Sequence, residues 1–274
     1  MTGEGTDFTL NDACAPSVAG RLWASVRRVL KLISPWAFND GLARANNLGR
    51  SMVEPRVVDR FLDAGCGDGS LTMSFARASG ARVVHGIDFV DEYGRLATGK
   101  GILFKQQDLN ERWSFENSFF DLILSSQSIE HLHNTRRFAE ELHRCLKPGG
   151  QAIILTENLA SWVNIGALVL GWQPFSMTCV NCWSVGNPMT WHIDEEKDLD
   201  LCQKLYDGGH SGAIGHTRVL SFVGLRNILE KAGFKEIDIR TRGYLPLGGL
   251  LSDLLCTIDR RHGHFLVASA RKQA

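Results

Sequence analysis

An α/β fold with a mostly parallel, doubly wound sheet is predicted by three features of the sequence. From residue 57 onward, short apolar runs alternate regularly with helical patterns, as expected of β-α-β units with helices on both faces of a sheet. One run, 61–64, leads directly into a Gly-x-Gly-x-Gly turn at Gly65, Gly67 and Gly69. A second, Val83-Val84-His85-Gly86-Ile87-Asp88, ends on an acid, roughly 20 residues on, where a group gripping ribose hydroxyls is expected.

Residues 1–56 read as a polar tail followed by a helical cap. Val18, Leu22, Val26, Val29, Leu30 and Ile33 recur at helical spacing, with Arg21, Arg27, Arg28 and Lys31 largely on other faces. Pro35 is expected to stop this helix, and a loop with a further short helix to follow. The basic face could meet an anionic membrane surface, against the plainer reading of a helix covering the pocket mouth.

The core covers 57–157, with strands near 59–64, 82–88, 101–105, 120–125 and 151–157. The glycine turn opens a helix near Gly69 or Ser70 that shows Leu71, Phe75 and Ala78 on one face. Such a turn needs residues that tolerate positive φ and let backbone approach a ligand. A helix over 136–147 buries Phe138, Leu142, Cys145 and Leu146, and Pro148-Gly149-Gly150 ends it. Residues 158–217 break the rhythm and are too long for a plain connection, which suggests a substrate cap. Regular structure resumes over 218–274. Ser221 is an N-cap, Leu225, Ile228, Leu229 and Ala232 form a helix face, and Gly233 follows the helix. Strands over 235–243 and 264–270 close the chain.

Thirty basic and 30 acidic residues in 274 give zero formal net charge, so a nucleic-acid partner is not expected. Seven scattered cysteines suit a reducing cytoplasm better than a disulfide framework. The polar, acidic start lacks the pattern of a signal peptide. No apolar run reaches the ~20 residues that span a bilayer.

The third glycine comes one residue earlier than in the usual dinucleotide fingerprint, Gly-x-Gly-x-x-Gly, and Asp63 stands just before the turn. Together with Asp88, Gln107-Asp108-Leu109, Phe119-Phe120-Asp121-Leu122-Ile123 and Leu146-Lys147-Pro148-Gly149-Gly150, the ordered set resembles the class I S-adenosylmethionine-dependent methyltransferases. The resemblance covers 57–157 and resumes over 219–234. It implies a Rossmann-like, seven-stranded sheet of order 3-2-1-4-5-7-6, the last two strands forming an antiparallel hairpin at the edge. It also implies S-adenosyl-L-methionine as cofactor and a small-molecule substrate.

Site residues follow by position. Gly65 and Gly67 with Asp63 would serve the amino-acid end of the cofactor, Gly69 would complete the cofactor-binding turn, and Asp88 would hold the ribose. Phe89 would lie against the adenine, Asp108 would accept from the adenine amino group, and Leu109 would pack beneath. Ser125 ends the fourth strand, and the segment from there to His131 would face the transferred methyl. Three acids closing three successive strands share one sheet edge, where such folds bind ligands. Capping and solvated roles are the alternative for each.

His131 and His216 are the candidate catalytic bases, with His216 ranked ahead of His210, and His192 lies within the insert. A structural histidine is the competing reading for each. Cys179 and Cys182 with Cys202 or His192 could build a zinc site, but no second Cys-x-x-Cys exists, so no metal is expected. Trp162, Trp172, Trp183 and Trp191 suggest an apolar pocket. The expected activity is methylation of a small, apolar molecule, on oxygen in the first reading and on nitrogen or carbon, of a lipid included, in the second. A nicotinamide oxidoreductase and a non-methylating user of the same pocket are the competing classes.

Overall fold

The computed structural model describes residues 18–180, 183–189 and 215–273, with side chains described from residue 34. The basic face expected over 18–33 therefore lies outside the described side chains, as do Cys182, Trp191, His192, Cys202 and His210.

Seven strands form one sheet: β1 (Arg60–Ala64), β2 (Val83–Asp88), β3 (Leu103–Gln106), β4 (Phe120–Ser126), β5 (Leu146–Glu157), and the late pair β8 (Lys235–Arg242) and β9 (Phe265–Arg271). β6 (Cys179–Val180) and β7 (Trp183–Ser184) make a separate two-stranded ribbon in the insert. The order is β3-β2-β1-β4-β5-β9-β8, as expected once the insert's two strands are counted. Pairs among β1 to β5 are parallel, and β9 runs antiparallel between β5 and β8.

Side chains alternate across the sheet with the two-residue period of strands. Phe61, Leu122, Ile153 and Val267 face one layer, with Phe75 of α2 (Ser70–Ser79) and with Ala45 and Leu48 of α1 (Val18–Ser51). Leu62, Ile123, Ile154 and Leu266 face the other, with Phe138 and Leu142 of α4 (Thr135–Cys145) and with Leu225 and Leu229 of α6 (Phe222–Lys231). α3 (Asp91–Gly99) covers the β2–β3 end, and its Ala97 packs with Cys66 and Ile102.

Three expectations need correction. α1 runs unbroken through Pro35. Proline removes one helical hydrogen bond, but the half beyond it is held by burial: Ala37 and Ala45 are fully buried, and Phe38 meets Phe265 edge to face, centroids 5.1 Å apart. Arg44 adds an ion pair to Asp253 at 2.6 Å. The fourth helix ends at Cys145, and Leu146 to Gly150 already belong to β5. There Gly149 and Gly150 exchange backbone hydrogen bonds with Lys272, 2.9 and 3.0 Å long, which continues the pairing with β9. The two late strands pair as expected, but a helix, α7 (Gly249–Ile258), stands between them in place of a hairpin turn.

Within the insert, α5 (Trp162–Val169) is followed by a 3-10 turn at Phe175–Met177. Among the described residues no helix is long and apolar enough to cross a membrane.

Candidate active site

The site is built where β1, β2 and β4 end along one edge of the sheet. β1 is buried through Ala64, and the chain then turns through Gly65, Gly67 and Gly69 at φ of 91°, 49° and 79°. Gly67 and Gly69 meet different steric demands. A Cβ on Gly69 would stand 2.4 Å from Ile102 Cδ1 and 3.2 Å from Ala97 Cα, so this position is set by packing of the turn against α3 and the residue before β3. A Cβ on Gly67 would meet nothing within 4 Å, and Gly67 lines a cavity. Its bare backbone is therefore a surface that a ligand can approach.

That cavity has a volume of about 480 Å³, within the range of small-molecule sites. Gly65, Gly67, Asp88, Phe89, Asp108 and Leu109 line it. Asp88 Oδ2 accepts from the Gly67 amide at 2.9 Å and Oδ1 from the Val90 amide at 3.1 Å. Asp108 Oδ1 accepts from the amide and side chain of Asn110 at 2.8 and 2.9 Å. Phe89 is partly exposed, while Leu109 is buried.

Four residues expected at the site, Gly69, Asp63, Ser125 and His216, stand off the cavity. Gly69 packs as described. Asp63 is buried beneath the turn, where it accepts from Thr72 Oγ1 at 2.7 Å. Burial pushes its carboxyl up to about 8, and the charge of Asp88 adds to the effect. Ser125 is buried in the β4–β5 pairing and does not line the cavity, and His216 reaches the site only through its contact with the ring of His131.

Beyond β4 the chain reverses at Gln127, whose φ is 51°, and enters a 3-10 turn at Ile129–His131. Gln127, Ser128, His131 and Leu132 line the cavity, as does Thr217 where the insert rejoins the core. His131 Nδ1 lies 3.0 Å from the Gly215 carbonyl, and His216 Nδ1 lies 2.6 Å from the Ser176 carbonyl. The two rings meet edge to face with centroids 4.8 Å apart. Burial, reinforced by His216, pulls the His131 pKa down to about 4, so its ring is neutral near pH 7.

Glu130 is the member that the sequence reading passed over. It is fully buried, accepts from Thr156 Oγ1 at 2.8 Å, and is pushed up to about 7 by burial. Its carbonyl receives the amides of Thr217 and Arg218 at 2.8 and 2.9 Å, which fastens the end of the insert to the turn after β4. The available signal was its place beside His131 immediately after the fourth strand.

The described tryptophans of the insert do not form the expected pocket wall. Trp162 donates to Asp259 at 2.7 Å, Trp172 packs against the small cluster of Ala167, Phe175 and Met189, and Trp183 is exposed. None of the three lines the cavity.

A glycine turn with open backbone, an acid at the end of β2, and a second acid beyond β3 suit a ligand that carries an amino acid, a ribose and a base. S-adenosylmethionine fits this cradle: Gly65 and Gly67 would face its amino-acid end, Asp88 its ribose hydroxyls, and Phe89 and Leu109 the adenine, with Asp108 beside it. Fold and site together define an S-adenosylmethionine-dependent methyltransferase of class I. Residues 24–238 match the family model of the methyltransferase domain, and the chain belongs to that family, whose cofactor is S-adenosylmethionine.

The chain is similar to a rat protein named "Ubiquinone biosynthesis O-methyltransferase, mitochondrial". The two are 35% identical over 108 residues, which is 36% of this chain and 31% of the rat protein. A Parvibaculum lavamentivorans protein named "Ubiquinone biosynthesis O-methyltransferase" is 32% identical over 133 residues, 44% of this chain and 51% of that one. The chain thus spans about a third to a half of the length of these curated relatives. Among solved structures, a possible histamine N-methyltransferase from Thermotoga maritima superposes with a TM-score of 0.52 at 15% identity, covering 92% of this chain and 97% of that one. Phosphoethanolamine N-methyltransferase 2 of Haemonchus contortus, with S-adenosyl-L-methionine, gives a TM-score of 0.51 at 16% identity, covering 89% and 57%. These likenesses concern the fold.

Proposed function

We propose that this chain methylates a hydroxyl oxygen of a small molecule. The observation that carries the reading is His131, which lines the same cavity as Asp88 and the glycine turn and meets the ring of His216 with centroids 4.8 Å apart. An amine needs only to be neutral before it accepts a methyl group, whereas a hydroxyl also has to lose its proton. Two imidazoles, one from the turn after β4 and one from the end of the insert, serve that second requirement.

Bound S-adenosylmethionine supplies an activated sulfonium methyl, so the protein's tasks are to position, to exclude water and to receive a proton. The turn and Asp88 would hold the donor. Phe89, Leu109 and Leu132 give the cavity apolar surface, which suits a substrate with an apolar body. With Nδ1–H on the Gly215 carbonyl, His131 keeps Nε2 as an acceptor. An imidazole would receive the hydroxyl proton as the substrate oxygen accepts the methyl group.

The names of the rat and Parvibaculum relatives support oxygen as the accepting atom. The name of a Caenorhabditis elegans relative, "Phosphoethanolamine N-methyltransferase 2", 26% identical over 46% of this chain, supports nitrogen. A competition assay decides between them: phenols and alcohols are offered together with amines, and products gaining one methyl are identified by mass. The reading expects the hydroxyl compounds to be consumed, and selective consumption of amines would overturn it.

A further inference from the structure

Glu130, His131 and His216 come from the turn after β4 and from the end of the insert. Each brings one potential ligand atom within 4.8 Å of the others. We propose that these residues bind one divalent transition-metal cation through two imidazole nitrogens and one carboxylate oxygen. The cation's part in catalysis rests on the O-methylation reading; its binding does not.

The first support is the orientation of the rings. A carbonyl oxygen only accepts, so the contacts of His131 Nδ1 with Gly215 and of His216 Nδ1 with Ser176 place a proton on each Nδ1. Each ring then keeps its lone pair at Nε2. Anchoring one nitrogen on a backbone carbonyl while the other ligates is the usual way a metal-binding histidine is held.

The second support is independent of the rings. Glu130 is fully buried, and Thr156 occupies its Oε2, yet its Oε1 has no hydrogen-bond partner among the described residues. Leaving a buried carboxylate oxygen unsatisfied is costly, and a cation between Glu130 and the imidazoles would remove that cost. The backbone is already clamped there, because the Glu130 carbonyl receives both the Thr217 and Arg218 amides.

The donor set also indicates which ion. Two imidazoles and one carboxylate suit zinc, cobalt, nickel, iron or manganese, whereas magnesium and calcium favour sets made of oxygen alone. Bonds of about 2.0–2.2 Å place ligand atoms roughly 3–3.5 Å apart, so side-chain rotation has to close the present spacing. Three protein ligands leave a coordination position open, and His131 borders the cavity. A substrate hydroxyl in that position would ionise more readily, its proton passing to water. In that state the imidazoles act as ligands and not as proton acceptors.

The test uses the full chain after treatment with a chelator, titrated with Co²⁺ and then Zn²⁺ by calorimetry and visible absorption. One Co²⁺ per chain is expected, displaced by Zn²⁺, with visible bands of a nitrogen- and oxygen-ligated ion. Glu130→Gln, and separately His216→Ala, should each weaken Co²⁺ binding at least about tenfold, the lower end of what disturbing a metal site costs. His131→Gln stands in should either fail to fold, as judged by circular dichroism. No saturable binding, binding that these variants leave intact, or binding lost in Cys179→Ser would each overturn the proposal. S-adenosylmethionine titrated into the same preparation tests the methyltransferase reading separately, since its failure to bind would sink that reading and leave the metal result standing.

Discussion

The amide of Gly67 donates to the carboxylate of Asp88 at 2.9 Å, which ties the glycine turn after β1 to the end of β2. The bond holds both groups at the cavity in the arrangement needed for a nucleoside with a polar tail. Asp88→Ala removes the acceptor and, with it, the group proposed to hold the ribose. S-adenosylmethionine affinity should fall by about 1.5–3 kcal/mol, the scale for hydrogen bonds to a charged group. Calorimetry that returns near-normal affinity would remove Asp88 from the site.

Gly67 and Gly69 should respond differently although they lie in one motif. A side chain at Gly67 enters open space in the cavity, at a φ of 49°, so Gly67→Val should abolish cofactor binding and cost about 1–3 kcal/mol of backbone strain while the chain still folds. A methyl at Gly69 meets Ile102 Cδ1 at 2.4 Å and Ala97 Cα at 3.2 Å, at a φ of 79°. Gly69→Ala should therefore destabilise the fold by about 1–3 kcal/mol, as overpacking does. Paired denaturation and calorimetry on both variants check the contrast, and a Gly69→Ala protein of wild-type stability would contradict it.

The glycine turn, Asp88 and Asp108 were legible because the strand-to-helix alternation alone puts the ends of successive strands on one edge. The course of α1 was not. Pro35 is a local stop signal, and what overrides it is the burial of Ala37 and Ala45 with the Phe38–Phe265 contact, partners remote in sequence. Glu130 was missed for a similar reason. An acid beside a histidine is unremarked in a sequence until Thr156 and the return of the insert show that it is buried. The tryptophans misled in the other direction, because composition reports apolar surface without saying which face it covers.

Asp63 should leave a mark on the pH dependence of stability. Its folded pKa, about 8, lies above the ordinary carboxylate value of 3.8. Between these values the native chain holds a proton that the unfolded chain has released, so this group's contribution falls as pH rises through the window. Asp63→Asn lacks the group and should show a flatter decline in denaturation midpoint between pH 5 and pH 8. Parallel profiles for the two proteins would show that Asp63 is ionised in the fold.

His131→Ala and His216→Ala address the proton. With a substrate in hand, at least one should lower kcat by about 10²–10⁴-fold, the range for general acid–base catalysis. S-adenosylmethionine affinity should stay unchanged. The drop is expected whether the ring accepts the proton or ligates a cation, and only in the second case should added metal govern the wild-type rate. Losses below tenfold in both variants would point to an acceptor that needs no help with its proton.

The most direct measurement follows the methyl group itself. S-adenosylmethionine carrying an isotope-labelled methyl is supplied with a panel of small hydroxylated aromatic compounds, and the product is examined by mass spectrometry and nuclear magnetic resonance. The account predicts one labelled methyl per product, attached to oxygen, with formation abolished by Gly67→Val. A label found on nitrogen or carbon would contradict O-methylation, and a Gly67→Val protein that still transfers it would contradict the assignment of the site.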